Sequence, residues 1–201
     1  MSTKGRLAVF ARAPVLGAVK SRLAISIGEE AAFECYRKLL ENTVEAAMPF
    51  ESEIWIEGDI ADLSWARGLP VRWQGAGDLG LRMLAAFNDG VKVLIGTDIP
   101  AMSASYIEQA FASLEENDVV VGPTEDGGYC LMAMREPNEQ LFAGITWGTS
   151  SVLASTLARA ENLNVGLCDV LWDVDIEADY RRWLVSDQAL NRCLSLRWAQ
   201  I

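Results

Sequence analysis

Residues 71–96 read VRWQGAGDLGLRMLAAFNDGVKVLIG. A β-prone run over 71–74 ends at Gly75, and a helical pattern follows over 79–88. A second apolar run, Val91 through Ile95, then closes at Gly96. A helix between two strands is the unit of an α/β domain with a parallel sheet. The same stretch contains Gly75-x-Gly77-x-x-Gly80, the spacing of a dinucleotide-binding fingerprint, with Asp98 where a ribose-binding acid would stand. Two features argue against that reading. The fingerprint normally opens the first βαβ unit, and here β-prone runs over 7–10 and 53–56 come earlier. Asp78 also lies inside the glycine loop, where its carboxylate would face a pyrophosphate. The glycines fit better as a turn beneath a different ligand.

The alternation continues on both sides. Residues 29–47 carry Ala32, Cys35, Tyr36, Leu39, Leu40 and Val44 at helical spacing, with Gly28 before and Pro49 after. A short helix is expected over 60–66. Ser103 is placed to cap a helix carrying Ile107, Ala110, Phe111 and Leu114. Strands are expected over 118–121, 129–134 and 165–167, and helices over 150–160, 179–184 and 188–198. There is no repeat, low-complexity tract or linker, so one domain over 1–201 is expected, with C-terminal helices at about 176–199.

Composition narrows the chemistry. The chain of 201 residues is 51 % apolar, which excludes a disordered polymer. No apolar run reaches membrane-spanning length, and the N-terminus shows no secretory pattern. Cys35, Cys130, Cys168 and Cys193 form no C-x-x-C pair and read as reduced thiols of a cytoplasmic protein. There is no histidine, which removes Ser-His-Asp and Cys-His catalysis and every His-based metal site. A net charge of −11 opposes nucleic-acid binding but allows a small phosphorylated ligand held by local cations or a divalent ion.

In a parallel α/β sheet, ligands gather at the carboxyl ends of strands. Four loops there carry chemistry. ARAPVLGAVKSRLA, from residue 11, concentrates Arg12, Lys20 and Arg22, which suits a phosphate site or a solvated basic loop. LIGTDIP places Asp98 just beyond a buried strand, as a ligand for Mg²⁺ or Mn²⁺ or as a turn carboxylate. GPTEDGGY sets Glu125 and Asp126 before paired glycines, as a general base or simply as an acidic hairpin turn. WDVDIEADY puts Asp173 and Asp175 two apart, on one side if the chain is extended, or at a helix N-terminus.

Six motifs in order, FARAPVLGAVKSRL, QGAGDLGLRM, LIGTDIP, GPTEDGGYCLMAM, LFAGITWGTSSVL and DVDIEADY, resemble the glycosyltransferase-like DUF2064 family. That family sits in the nucleotide-diphospho-sugar transferase superfamily, with a GT-A-type fold. The resemblance runs from about residue 6 to residue 184. It implies a Rossmann-like three-layer α/β/α sandwich with a mostly parallel central sheet. It also implies a nucleotide sugar as donor, a small-molecule acceptor and Mg²⁺ or Mn²⁺. On that resemblance Arg12, Lys20, Arg22, Gly77 and Asp78 bind nucleotide and phosphate. Asp98 and Asp175 hold the metal, and Asp126, with Glu125 second, activates the acceptor. A nucleotidyltransferase or a non-catalytic nucleotide-binding module on the same fold stays open. The chain departs from the family at Ser21, at Ile99 and in DVDIEADY, where the family has Thr, Cys and DVDTPEDL. The Trp-, Leu- and Arg-rich C-terminus reads as packing on its own domain or as a homodimer contact.

Overall fold

The computed structural model describes residues 5–59 and 62–186. Among these the elements run in the order β1 (Arg6–Arg12), α1 (Ser21–Ile27), α2 (Glu29–Ala47), β2 (Ser52–Glu57), β3 (Val71–Trp73), α3 (Leu79–Asn88) and β4 (Val91–Gly96). After β4 come α4 (Ala104–Leu114), β5 (Val119–Pro123), β6 (Tyr129–Met134), α5 (Val152–Arg159) and β7 (Val165–Leu167). A last helix, α6, spans 177–186. Single 3-10 turns lie at Ser64–Ala66 and Glu139–Phe142.

Seven strands form one sheet in the order β3-β2-β1-β4-β6-β5-β7. β1 pairs in parallel with β2 and β4, β2 with β3, and β5 with β7. β6 is antiparallel to both of its neighbours. Successive side chains alternate between faces, so Leu7 and Val9 point to one layer and Ala8 and Phe10 to the other. The first layer is closed by Tyr36, Leu40 and Val44 of α2 and by Ile107, Ala110 and Phe111 of α4. The second is closed by Met83, Ala86 and Phe87 of α3, with Leu141 and Phe142 beside them. The result is an α/β domain with a mostly parallel sheet, as the strand–helix alternation predicts, in the three-layer α/β/α arrangement that the resemblance implies.

Local chemistry explains the clean boundaries. The α2 stripe Ala32, Cys35, Tyr36, Leu39, Leu40, Thr43 and Val44 is buried at helical spacing. Asp78 caps α3 by accepting from the Leu81 N–H, and Ser103 caps α4 by accepting from Tyr106 N–H. Three expectations change and one is not reached. Residues 21–27, whose start was read as part of the loop after the first strand, form α1, which buries only Leu23 and so shows no apolar period. Of the helix expected over 60–66, the described part holds only the Ser64–Ala66 turn. Residues 172–175 belong to no strand, so Asp173 and Asp175 share no strand face. The helix expected over 188–198, and Cys193, lie outside the described residues. Among the described residues no helix is long and apolar enough to cross a membrane. Cys35, Cys130 and Cys168 are unbridged. Burial pushes the Cys35 thiol up to about 11 and that of Cys130 to about 12, which makes both poor nucleophiles.

Candidate active site at the strand ends

From β1 the chain builds outward through β2 and β3, then returns to place β4 on the other side of β1. The carboxyl ends of β1 and β4 therefore flank the point where strand order reverses, the place where open α/β sheets bind ligands. Lys20 reaches this point from the loop after β1. Its backbone is left-handed, with φ 51°, an uncommon conformation for a residue with a Cβ. Its Nζ lies 2.5 Å from Asp98 Oδ1 and donates to the Val174 carbonyl at 2.5 Å. The Lys20 side chain is only 5 % exposed, and these partners satisfy its buried ammonium. The end of β1 is fixed from the α2 side: the Tyr36 hydroxyl accepts from Arg12 N–H and donates to the Arg12 carbonyl.

Asp126 stands in the hairpin turn between β5 and β6. Its Oδ1 accepts from the Thr124 hydroxyl at 2.5 Å and from the Gly128 N–H at 3.0 Å. Gly127 follows with φ 88°, and a Cβ there would lie 2.2 Å from the Ser150 carbonyl oxygen. Only glycine permits that approach. Asp173 is half-buried beside the same rim. Burial raises its carboxyl to about 6; the charge of Asp126 adds to this, Lys20 opposes it and Asp98 adds further. Lys20, Asp98, Asp126 and Asp173 thus share one electrostatic field, although they come from four separate loops.

The other sequence-selected residues are placed as follows. Asp175 bonds to Arg22. Glu125 is gripped by Arg182, which holds its carboxyl below the usual range. Arg12 meets Glu57 at 3.3 Å. Gly77 has φ 105° and packs on Leu81, while the Asp78 carboxylate is engaged in capping α3. A Cβ on Gly80 would lie 2.8 Å from Trp147. Two of the three glycines in the fingerprint spacing therefore answer to close packing.

Sequence reading missed three groups. Arg82 of α3 donates to Gln74 at 2.7 Å and pairs with Glu57 at 3.1 Å. The Gln74 side chain in turn donates to the Ala11 and Trp55 carbonyls. This ties the ends of β1, β2 and β3 to the start of α3. The available signal was Arg82 itself, a cation in the first turns of an apolar helix beside the glycine loop. A separate cleft of about 610 Å³, lined in part by Pro14, Phe33, Arg37, Trp65 and Arg67, opens on the α2 side. None of Lys20, Asp98, Asp126 or Asp173 lines it.

The divalent ion implied by the resemblance can be tested against these groups. Asp98 and Asp175 each carry a cationic partner, Lys20 and Arg22, that a metal ion would have to replace. Asp98 and Asp173 fit: both offer hard oxygen donors, and Asp173 carries a charge that its neighbours leave undercompensated. Among the described residues no three acids or thiols form a ready-made cage. Mg²⁺ commonly needs only one or two carboxylates, with substrate phosphates completing its shell.

Known proteins share this architecture. A candidate nucleotide-diphospho-sugar transferase from Desulfovibrio desulfuricans G20 superposes with a TM-score of 0.79 at 27 % identity, over 95 % of this chain and 98 % of its own. The 4-diphosphocytidyl-2C-methyl-D-erythritol synthase of Anaerococcus prevotii DSM 20548 has a TM-score of 0.57 at 12 % identity, with 92 % and 97 % covered. Rv0371c of Mycobacterium tuberculosis H37Rv, solved in complex with manganese, has 0.52 at 17 %, with 90 % and 99 % covered. The last two show a shared fold alone. No curated protein matches the sequence. The family described as "Uncharacterized protein conserved in bacteria (DUF2064)" matches residues 40–149, more than half of the chain. By that match, and by the nucleotide-diphospho-sugar transferase-like fold in which its motifs meet, the chain belongs to the DUF2064 family.

Proposed function

We propose that the chain is a transferase that moves a sugar from a nucleotide-diphospho-sugar to a hydroxyl of a small acceptor. The observation that carries this reading is the Lys20–Asp98 pair across the β1/β4 switch point, with Asp126 and Asp173 in the same field. Transfer leaves a nucleoside diphosphate whose charge grows as the glycosidic bond breaks. Arg12 at the end of β1, Lys20 before α1 and Arg22 in its first turn supply cations at that end. Gly77 and Asp78 border the nucleotide side. Asp126, exposed at the hairpin tip, accepts the acceptor's hydroxyl proton. Asp98 and Asp173 would hold Mg²⁺ or Mn²⁺, which when bound neutralises diphosphate charge. The similarity to the Desulfovibrio protein supports the donor class. In this reading Glu125 and Asp175 have no direct part in the chemistry.

A second reading is nucleotidyl transfer from a nucleoside triphosphate to a phosphorylated acceptor. The cation-rich loop after β1 suits a triphosphate, and the Anaerococcus synthase carries its own chemistry on this fold. The products separate the two. Incubation with UDP- and GDP-sugars should release a nucleoside diphosphate. Release of pyrophosphate from a nucleoside triphosphate would favour the second reading. Affinity without turnover of any donor would leave a binding module. Calorimetry tests the site directly: Asp98→Ala should weaken Mn²⁺-dependent donor binding at least about tenfold, and unchanged affinity removes Asp98 from its role.

A further inference from the structure

Asp126 and Asp173 lie on two different segments, residues 124–128 and 171–175. The backbones are tied at one point. Thr124 and Leu171 form an isolated parallel bridge, Glu125 N–H donates to the Leu171 carbonyl at 2.9 Å, and Leu171 N–H donates to that of Pro123 at 3.0 Å. The second segment is tied again where Val174 N–H donates to the Asp98 carbonyl at 3.0 Å. Trp172 and Asp173 lie between these ties, outside any strand.

Arg182 of α6 spans this gap. Its two terminal nitrogens donate to the two carboxylate oxygens of Glu125, at 2.6 and 3.0 Å. Its guanidinium carbon lies 4.2 Å from the centroid of the Trp172 ring. One side chain therefore grips the residue before Asp126 and the residue before Asp173. We infer that Arg182 is a positioning residue that sets the spacing of Asp126 and Asp173, and that Glu125 is its anchor rather than a proton acceptor.

Three considerations carry this. The contact is a fork on a carboxylate with a ring behind it, which fixes a plane as well as a charge. Arg182 and Glu125 are each about half exposed, and exposed pairs contribute little to stability, so the geometry is what the contact supplies. The attachment of α6 does not depend on it: Trp183 is buried with Leu23, Cys35, Leu39 and Val174 in a cluster of its own. Substitution of Arg182 therefore leaves a folded chain. Lysine keeps the charge but lacks both the fork and the stacking plane.

The inference rests on the proposed sugar transfer for its catalytic consequence, and the test separates the two. The full chain and its Arg182→Lys, Arg182→Ala, Glu125→Gln and Arg182→Ala/Glu125→Gln variants are assayed for UDP release from UDP-glucose and GDP release from GDP-mannose with Mn²⁺. Amide hydrogen exchange is followed in parallel. Positioning predicts that kcat falls at least about tenfold in both Arg182 variants while KM for the donor stays within about twofold. Glu125→Gln should fall to a similar level, and the double variant should be no worse than either single one. Amides of 124–128 and 172–174 should exchange faster, with those of 177–186 unchanged. Full activity in Arg182→Lys overturns the inference. So does loss of activity in Glu125→Gln with none in Arg182→Ala, which would make Glu125 the proton acceptor. If the parent chain turns over neither donor, the sugar-transfer reading loses its support, and unchanged exchange in Arg182→Lys would separately refute the positioning role.

Discussion

At Asp173 the charge balance of the site is concentrated in one side chain. Its carboxyl rises from an ordinary 3.8 to about 6 because burial, Asp126 and Asp98 outweigh the help of Lys20. A carboxyl raised in the folded state stabilises the fold fully only below its unfolded value. That stability is lost as pH rises through about 6. Asp173→Asn removes the penalty, so its melting temperature should exceed that of the parent at pH 7.5 and match it near pH 4. The gain should be about 1–2 kcal/mol, after allowance for partial exposure. Thermal unfolding at the two pH values checks this, and an equal gain at both would show a cause other than charge. The same residue shows where sequence reading stops. Lys20, Asp98 and Asp126 could be picked out as candidates because each lies in a segment that follows a strand. The choice between Asp173 and Asp175 was not legible. The two-residue alternation presupposes a strand, whereas 172–175 is irregular and Arg22 draws Asp175 away. A pairing between residues 153 positions apart leaves no mark in the local pattern.

Elements were legible where a period or a cap wrote them. The buried stripe of α2 and the helical pattern of α3 reproduce the expected bounds, Glu29–Ala47 and Leu79–Asn88, and Ser103 caps α4 as expected. α1 was not legible, because one buried leucine makes no period. Nor was the direction of β6, since an apolar run looks alike in parallel and antiparallel settings. The hairpin that reverses β6 depends on Gly127, which faces the Ser150 carbonyl at a distance no Cβ tolerates and has a positive φ. Leu153 N–H also donates to the Gly127 carbonyl at 2.9 Å, joining the turn to the start of α5. Gly127→Ala must therefore part the turn from α5 and displace Asp126 with it. The cost should be at least about 2 kcal/mol, or roughly 4–8 °C in melting temperature for a chain of this size. Gly148→Ala is the control: it shares the positive φ but has nothing within 4 Å of its Cβ. It should lose about 1 kcal/mol from backbone strain alone. Equal losses would show that contact with Ser150 contributes nothing.

Across the whole molecule, the core and the candidate site are spatially separate. Both faces of the sheet are covered by helices, while the rim groups sit on loops beyond the strand ends. Fold, ligand binding and chemistry should therefore respond to different substitutions. Asp126→Asn isolates the last of the three. Asparagine keeps an Oδ1 to accept from Thr124 and Gly128, so the hairpin turn survives, but it cannot take up a proton. Its stability without ligand should lie within about 0.5 kcal/mol of the parent's, as for most exposed substitutions. A ligand that binds only the folded chain stabilises it by about 2.7 kcal/mol at a hundred times its Kd. For a chain of this length that is a rise of roughly 5–10 °C. UDP- or GDP-sugar with Mn²⁺ should raise the melting temperatures of parent and Asp126→Asn alike. Turnover by the variant should fall about 10²- to 10⁴-fold. Loss of the ligand-induced rise in Asp126→Asn would move Asp126 from proton transfer to donor binding. Retained turnover would leave the proton to another base.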